Sequence, residues 1–531
     1  MSGPFTGTGH LVRLALRRDR VLVPVWIAVF ALMAYYTAAA TLQVYPDIAA
    51  LRPYSTQVNA SPALVALYGP VWDVDSLASG AVYKISALGA ALVAVLTMIL
   101  TVRHTRAEEE AGRLELLGAG VVGRLAGLTA SVVVASATTV VLGLLSAAGL
   151  VAAGLPSTGS LAFGLSWISS GLAFVGVAAV TAQLASGGRA ATGLAASVLG
   201  VSYLLRAIGD AARPDGPTWV SWLSPVGWAE QVRPYAGDRF GIALAGVAFA
   251  VATIAAAYAL AARRDLGAGL LADRPGPPVA SPRLAGPFAL ALRLQRGVLI
   301  AWTVAFAVFG AVVGSLANSI ESMADSPSAR EAITTLGGMS GLVDAFFSVE
   351  LGASALIGSI WLVQSVNRLR GEETAQHAEA LLATGVGRRR WVLAHVAVAA
   401  GGAVWLLLVS GTTIGLSAAA TLHDRSQFGR LFVAELWQAP AMLVLGGLTV
   451  AAFGLVPRFA AAGWALLVTF LLLQELGPLL KLSDLVLDLS PYRHTPRIGA
   501  FDAVPVVALA VVALALLGVG LESFRRRDVP A

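Results

Sequence analysis

The chain has 531 residues, of which 57% are hydrophobic and only 12% are charged, and its formal net charge is +6. Soluble globular proteins carry about 25% charged residues, so this composition excludes a soluble protein. Cysteine is absent, which excludes disulfide scaffolds, thiolate metal sites and a cysteine nucleophile.

Lysine is nearly absent as well. Of the 36 basic residues only Lys84 and Lys481 are lysines, and neither follows a glycine. A phosphate-binding loop of the GxxxxGK[ST] type is therefore excluded, so the chain does not bind ATP in that way. The sequence has no HExxH or GxSxG motif, no paired-carboxylate site and no metal-ligand spacing among its six histidines. We expect no catalytic residue, no metal and no cofactor in this chain.

The apolar residues form long runs, each close to the roughly 20 residues that cross a bilayer as a helix. They predict an all-α polytopic membrane protein with about twelve transmembrane helices. The predicted spans lie near residues 21–43, 80–102, 125–153, 160–186, 190–208, 240–262, 297–319, 346–367, 391–421, 431–457, 459–480 and 502–522.

The basic residues predict the orientation of these spans. With both termini in the cytoplasm, 24 of the 36 basic residues fall on the cytoplasmic side and 11 on the outer side. Cytoplasmic loops carry the excess of Lys and Arg, so this arrangement in the plasma membrane is favoured. The net charge is thus mainly a topology signal, and we expect no nucleic-acid partner.

Two ionisable residues fall closest to span interiors, Lys84 and Glu435. Charged side chains are costly in lipid and are functional candidates there, so both are candidates for a transport pathway. The alternative for Lys84 is a position near the outer end of its span, from which its ammonium snorkels to the surface.

Three landmarks recur in the same order along the chain, which indicates an internal duplication. A copy of the first basic segment in mid-chain also argues against a cleaved signal peptide at the N-terminus. The matches are six identities in thirteen positions between 14–26 and 290–302, ten in nineteen between 106–124 and 370–388, and Leu-Ser-Pro at 223–225 and 489–491.

The duplication predicts three parts. Residues 1–262 would be a first six-span half, residues 263–290 a cytoplasmic linker, and residues 291–531 a second six-span half. The linker contains Asp-Arg-Pro-Gly-Pro-Pro at 273–278, whose prolines make it semi-rigid. An even number of spans per half gives both copies the same membrane orientation.

The repeated acidic segment joins the second and third spans of each half, on the predicted cytoplasmic side. Acidic residues gain nothing at an anionic leaflet, so a short amphipathic helix that contacts a partner explains them better than a solvated connector, which is the alternative. Helical spacing also predicts pairs of Glu109 with Arg113 and of Glu373 with His377. The candidate partner-coupling residues are Glu108, Glu109, Glu115, Arg124, Glu372, Glu373, Glu379 and Arg388.

Two further repeated segments are candidates. Basic residues before the first span of each half predict an interfacial helix on the inner leaflet, with ordinary basic flanking as the alternative. A tryptophan-rich segment after the fifth span predicts a short re-entrant or interfacial helix at the outer surface, with an aromatic anchor as the alternative. The residues are Arg13, Arg17, Arg20, Arg293 and Arg296 for the first feature, and Trp222, Ser224, Pro225, Trp228, Ser490 and Pro491 for the second.

Several of these motifs resemble a known family. The residues Glu108-Glu109, Gly112-Arg-Leu-Glu-Leu-Leu117 and Gly123-Arg124 resemble the coupling-helix signature of ATP-binding-cassette exporter permeases of the drug and polysaccharide export class. Leu-Ser-Pro-Val-Gly-Trp at 223–228 with Val-Arg-Pro-Tyr-Ala-Gly-Asp-Arg at 232–239 is similar to the actinobacterial exporters of polyketide antibiotics, tetronasin-type permeases among them. The second coupling segment departs from the pattern, with Gln376-His-Ala in place of Gly112-Arg-Leu.

The resemblance implies two tandem six-helix halves of the type V exporter kind. It implies a permease subunit that moves an amphipathic compound out of the cell, powered by two copies of a separate cassette ATPase that bind ATP and Mg²⁺. The alternatives are an ion-coupled secondary carrier, which also has two parallel six-span halves, and an antibiotic-sensing immunity protein. A membrane-embedded enzyme ranks last, because no catalytic centre is found.

Overall fold

A computed structural model describes residues 3–112, 122–212, 218–265, 267–271, 278–317, 339–456, 462–476 and 483–527. Within these ranges the chain is helical, and no β-strand occurs apart from one isolated bridge between Arg497 and Ala500. Eleven helical stretches among the described residues are long and apolar enough to cross a membrane, and one of them, Ser426–Leu455, consists of two consecutive helices. A shorter apolar helix covers Ala462–Gln474. The predicted all-α polytopic membrane fold is therefore confirmed.

The chain forms two compact units, Met1–Gly276 and Pro277–Ala531, here called unit 1 and unit 2. The boundary between them falls inside the segment 263–290 that the sequence suggests as a linker. Most of the proline-rich stretch of that linker lies outside the described residues.

Unit 1 contains a central helix, α8, that packs against α5, α7 and α11. A short 3₁₀ helix, Thr218–Leu223, precedes α10. The described helices of unit 1 are α1 Thr8–Arg18, α2 Leu22–Val44, α3 Ile48–Ala60, α4 Pro62–Tyr68, α5 Leu77–Arg103, α6 Arg106–Glu110, α7 Ala126–Ala152, α8 Ser157–Leu184, α9 Gly188–Ala211, α10 Pro225–Gln231 and α11 Phe240–Ala261.

In unit 2, α15 packs against α12 and α16, and α17 packs against α20. Two 3₁₀ turns cover Pro282–Leu284 and Pro491–His494. The described helices of unit 2 are α12 Pro287–Ser315, α13 Met339–Thr374, α14 His377–Leu382, α15 Arg388–Thr421, α16 Ser426–Leu436, α17 Ala439–Leu455, α18 Ala462–Leu476, α19 Asp484–Leu487 and α20 Ala503–Arg526.

In each unit a buried tryptophan of one helix packs directly against a glycine of a neighbouring helix. Trp167 of α8 donates to the carbonyl of Ser86 at 3.1 Å, and a Cβ on Gly89 would lie 2.2 Å from its ring. Trp361 of α13 donates to the carbonyl of Ala399 at 3.0 Å, and a Cβ on Gly402 would likewise come too close to the Trp361 ring. Small residues let helices pack closely where lipid supplies no hydrophobic driving force between them.

The basic segments before the first span of each unit differ. In unit 1, Arg13 and Arg17 lie exposed on a separate helix, α1, and the chain turns at Asp19 before α2 begins. In unit 2, Arg293 and Arg296 lie on α12, which runs unbroken from Pro287 to Ser315. The expectation of a separate interfacial helix is therefore wrong for unit 2. At an offset of 276 from Asp19 stands Gln295, a better helix former than aspartate.

Candidate functional site

The acidic segment of unit 1 begins with α6, which follows α5 after a short turn at His104 and Thr105. Its residue Glu109 has a side chain that is only 7% exposed, and its carboxylate pairs with Arg106 and with Arg264, the latter at 2.8 Å between Nη1 and Oε2. Arg264 follows the last span of the unit. This ion pair therefore joins the acidic segment to the end of α11.

Arg124 completes this contact from the other side of the segment. Its guanidinium donates to the carbonyl of Arg264 at 2.6 Å and to that of Ala261 at 3.2 Å. The carbonyls at a helix C-terminus lack partners within the helix, so a guanidinium there satisfies them. Glu109, Arg264 and Arg124 together form what we call the lock of unit 1.

Unit 2 contains the same lock. Glu373 pairs with Arg527, which follows the last span of that unit, and the Glu373 side chain is 6% exposed. Arg388 donates to the carbonyl of Arg527 at 2.7 Å. Arg264 and Arg527 lie 263 residues apart, one fewer than the offset of 264 between the two acidic segments. The sequence holds part of this signal, because arginines follow the last span of both halves at 263–264 and at 525–527.

The neighbouring glutamates are also held inside their units. Glu108 is 8% exposed and binds Arg18 of α1 at 2.7 Å. Glu110 accepts from the backbone N–H of Gly188 at 3.0 Å, at the N-terminus of α9, where the helix dipole favours a negative charge. A second contact joins this region to the end of α1, because the buried Asp19 binds His104, which follows α5, at 2.5 Å.

In unit 2 the helical spacing predicts a pair between Glu373 and His377 that does not form. The His377 Nδ1 atom lies 3.1 Å from Glu372, which also binds Arg368 at 2.9 Å. Gln376 adopts a left-handed conformation with φ of 59°, which ends α13 and starts the new helix α14. Because the helix is interrupted at Gln376, Glu373 and His377 are not one turn apart on a single helix, and the predicted pair does not form.

These contacts correct the interpretation of the acidic segments. Glu108, Glu109, Glu372 and Glu373 are not a free acidic face, because their carboxylates are buried and paired within the chain. Glu379 on α14 is exposed. Glu115 and Arg113 lie outside the described residues, so the predicted pair of Glu109 with Arg113 does too. The partner-coupling role of the two segments stays a prediction.

The tryptophan-rich segment of unit 1 forms a short buried helix. Ser224 caps α10 by accepting from the N–H of Gly227 at 3.0 Å, and Pro225 is the first residue of the helix. The Trp228 indole donates to the carbonyl of Trp222 at 2.6 Å, and Trp222 is 44% exposed. The predicted short helix is therefore present in unit 1, whereas its re-entrant or interfacial position and the aromatic anchor stay predictions.

The turn after α10 is strained and closed onto α8. Arg233, Tyr235 and Asp238 all have positive φ, and Asp238 accepts from the N–H of Tyr235 at 2.7 Å. The Tyr235 hydroxyl bonds Ser160 at 2.7 Å. Burial raises the pKa of Tyr235 to about 12. Arg233 lies 3.8 Å from the ring of Trp72, a cation–π contact.

The copy of this segment in unit 2 has a different shape. Pro491 starts a 3₁₀ turn, and the buried Ser490 hydroxyl has no hydrogen-bond partner among the described residues. Tyr492 is anchored by a 2.6 Å bond to Ser359. The predicted short helix is therefore present after Ser224 but reduced to one turn after Ser490.

Sequence reasoning missed a buried charged cluster in unit 1. Arg206 of α9 is fully buried, donates to the carbonyl of Ala66 at 2.6 Å and lies 3.7 Å from Glu230. Asp210 is buried one turn further along α9. The apolar run predicts only a span, and α4, whose carbonyls Arg206 binds, lies in a stretch where the sequence indicates no helix.

Two comparisons with known proteins identify the family. The multidrug efflux system permease protein Rv1217c of Mycobacterium tuberculosis is 41% identical over 530 residues, which is 99% of this chain and 96% of that protein. The family model of the C-terminal domain of the multidrug efflux system permease Rv1217c matches residues 284–525. The chain belongs to this family of efflux permeases. The resemblance to actinobacterial drug-exporter permeases is thereby confirmed.

The permease places its two candidate pathway residues in contrasting surroundings. Glu435 of α16 is fully buried, and its Oε1 atom accepts from Ser354 at 2.6 Å, while its Oε2 atom has no partner among the described residues. Lys84 of α5 is exposed, and its ammonium lies 5.6 Å from the centre of the Tyr54 ring.

Proposed function

We propose that the permease is the membrane subunit of an ATP-binding-cassette exporter that moves amphipathic compounds out of the cell. These compounds would be antibiotic-like, drug-like or lipid-like, since the relative at 41% identity is a multidrug efflux permease. Both termini would be cytoplasmic, with the acidic segments and locks on the cytoplasmic side. ATP and Mg²⁺ would bind a separate ATPase, since this sequence has no GxxxxGK[ST] loop.

The lock present in both units carries this proposal. In each unit it ties the segment between the second and third spans to the end of the last span. A segment held in this way transmits a push to the helices instead of yielding locally. Two such segments favour two copies of the ATPase, whose closure would move the units as rigid bodies.

Co-expression with a cassette ATPase encoded beside the permease tests the proposal. We expect the purified complex to contain two ATPases per permease by native mass spectrometry, and proteoliposomes to transport an amphipathic dye only with ATP. Transport that follows a proton gradient in the absence of any ATPase would overturn it.

An ion-coupled carrier is the second candidate, and Glu435 favours it. A buried carboxyl that has no cationic partner in the described part of the chain is a group that can gain and lose a proton within a span. The same proteoliposomes distinguish the two functions. Proton-driven transport that is lost in Glu435→Gln supports the carrier, whereas ATP-driven transport that persists in Glu435→Gln supports the exporter.

A further inference from the structure

One narrow stripe of α5 is open to the surroundings, whereas most of that helix is buried in unit 1. The exposed residues are Lys84, Leu92 and Ile99, and the half-buried Leu88 and Val95 lie between them. Their spacing of three or four residues places all five on one helix face. The stripe therefore has a cation at one end and an apolar path of about 22 Å beyond it, at roughly 1.5 Å per residue.

The charge of Lys84 has no counter-ion among the residues that the structure describes. No described carboxylate lies within ion-pair distance of its ammonium. Asp75 binds Arg52 at 3.1 Å instead. The Tyr54 ring below Lys84 is fixed by a 2.6 Å bond between the hydroxyls of Tyr54 and Tyr83.

Lipid tails can cover the apolar residues of the stripe, but they do not neutralise an ammonium. Lys84 lies seven residues inside α5, about 10 Å from the first residue of that helix. An unpaired charge at such a place is costly, and an anion that binds there recovers part of this cost. A ligand with an acidic head and an apolar tail matches both parts of the stripe.

We propose that Lys84, Leu88, Leu92, Val95 and Ile99 form a binding site for amphipathic carboxylic acids. The carboxylate pairs with the Lys84 ammonium beside Tyr54, and the apolar tail lies along the stripe. The site discriminates against amphipathic cations, because Lys84 repels them. This inference deepens the proposed function by naming a substrate class, but the binding itself does not depend on it.

Binding to the purified permease without ATPase tests the site. The probes are dansylaminoundecanoic acid and its methyl ester, which share a tail and differ in charge. We expect Lys84→Gln to weaken binding of the acid about tenfold, as expected for the loss of one charge-assisted contact of about 1.4 kcal/mol. Binding of the ester should stay unchanged, and Lys84→Arg should retain binding of the acid.

Arg52→Gln is the matched control, because Arg52 is an exposed cation close by that lies outside the stripe. It should leave the affinity for both probes at the level of the unchanged permease. Equal affinity for the acid in Lys84→Gln and the unchanged permease overturns the proposal. An equal loss of acid and ester binding also overturns it, because the headgroup would then not be recognised.

Transport by the complete exporter separates this proposal from the proposed function. Lys84→Gln should lower ATP-driven export of the acid while export of a cationic rhodamine dye persists. If the unchanged complex exports neither compound but the binding pattern holds, the proposed function fails and the site stands. If both compounds are exported equally by Lys84→Gln and the unchanged complex, the site fails and the proposed function stands.

Discussion

Glu373 and Glu379 lie six residues apart in the same segment but in opposite surroundings. Glu373 is buried against Arg527, whereas Glu379 is exposed on α14. The removal of one partner from a buried ion pair leaves an uncompensated charge, which costs about 3–5 kcal/mol. The removal of an exposed charge usually changes stability by less than about 0.5 kcal/mol. Variants at these two glutamates therefore distinguish an effect on the stability of the fold from an effect on contact with a partner protein.

We expect Glu373→Gln to lower the unfolding temperature of the purified permease and Glu379→Gln to leave it unchanged. Tryptophan fluorescence during heating measures this difference. Glu379→Gln should instead weaken ATPase binding, because an exposed carboxylate can contact a partner directly. An equal unfolding temperature in both variants would contradict the buried lock of unit 2.

At the scale of elements, the turn after α10 depends on the absence of a side chain in α8. A Cβ on Gly159 would lie 2.1 Å from the Tyr235 ring, closer than real Cβ atoms approach. Tyr235 is held there by Ser160 and by the strained turn that contains Arg233 and Asp238. Gly193 in α9 has no atom within 4 Å of a built Cβ.

We expect Gly159→Ala to destabilise the permease by about 1–3 kcal/mol through overpacking, because the Tyr235 ring must move. Gly193→Ala should be neutral or slightly stabilising, since alanine is the better helix former by up to about 1 kcal/mol. Limited proteolysis of the 233–239 turn is the measurement. If cleavage is equally slow in both variants, the close approach of α8 to the turn is wrong.

The elements differ in how well the sequence predicts them. The long spans follow from their apolar runs, which are visible without tertiary information. The helices α3 and α4 were not predicted, because they are short and α3 contains Pro53. The burial of Glu109 was not predicted either, because its partner Arg264 is 155 residues away. In contrast, the repeat predicts two acidic segments at corresponding places in the two halves, and both contain the lock.

At the scale of the whole molecule, each lock joins an acidic segment to the last span of the same unit, so the two should move together as one rigid body. The absence of native cysteine allows single pairs of cysteines to be placed on exposed residues of that body. In unit 1 the suitable positions are Ala111 and Arg263, and in unit 2 they are Ala380 and Arg525.

We expect spin labels at Ala111→Cys and Arg263→Cys to keep one narrow distance distribution with and without ATP. The same holds for labels at Ala380→Cys and Arg525→Cys. Pulsed electron resonance on the reconstituted complex measures both. Glu109→Gln should broaden the first distribution and leave the second unchanged. A broad or ATP-dependent distribution in the unchanged lock would show that the segments move independently of the spans.

The residue between α13 and α14 has the same left-handed backbone conformation as its counterpart in the first half of the duplication. Gln376 has φ of 59°, and 264 positions earlier Gly112 has φ of 68°. Glycine adopts this conformation freely, whereas another residue loses roughly 1–2 kcal/mol there. The two halves therefore share a left-handed bend at this point although their residues differ. What the duplicated segments have in common here is a backbone path, and the second copy follows it without the residue type that adopts it most easily.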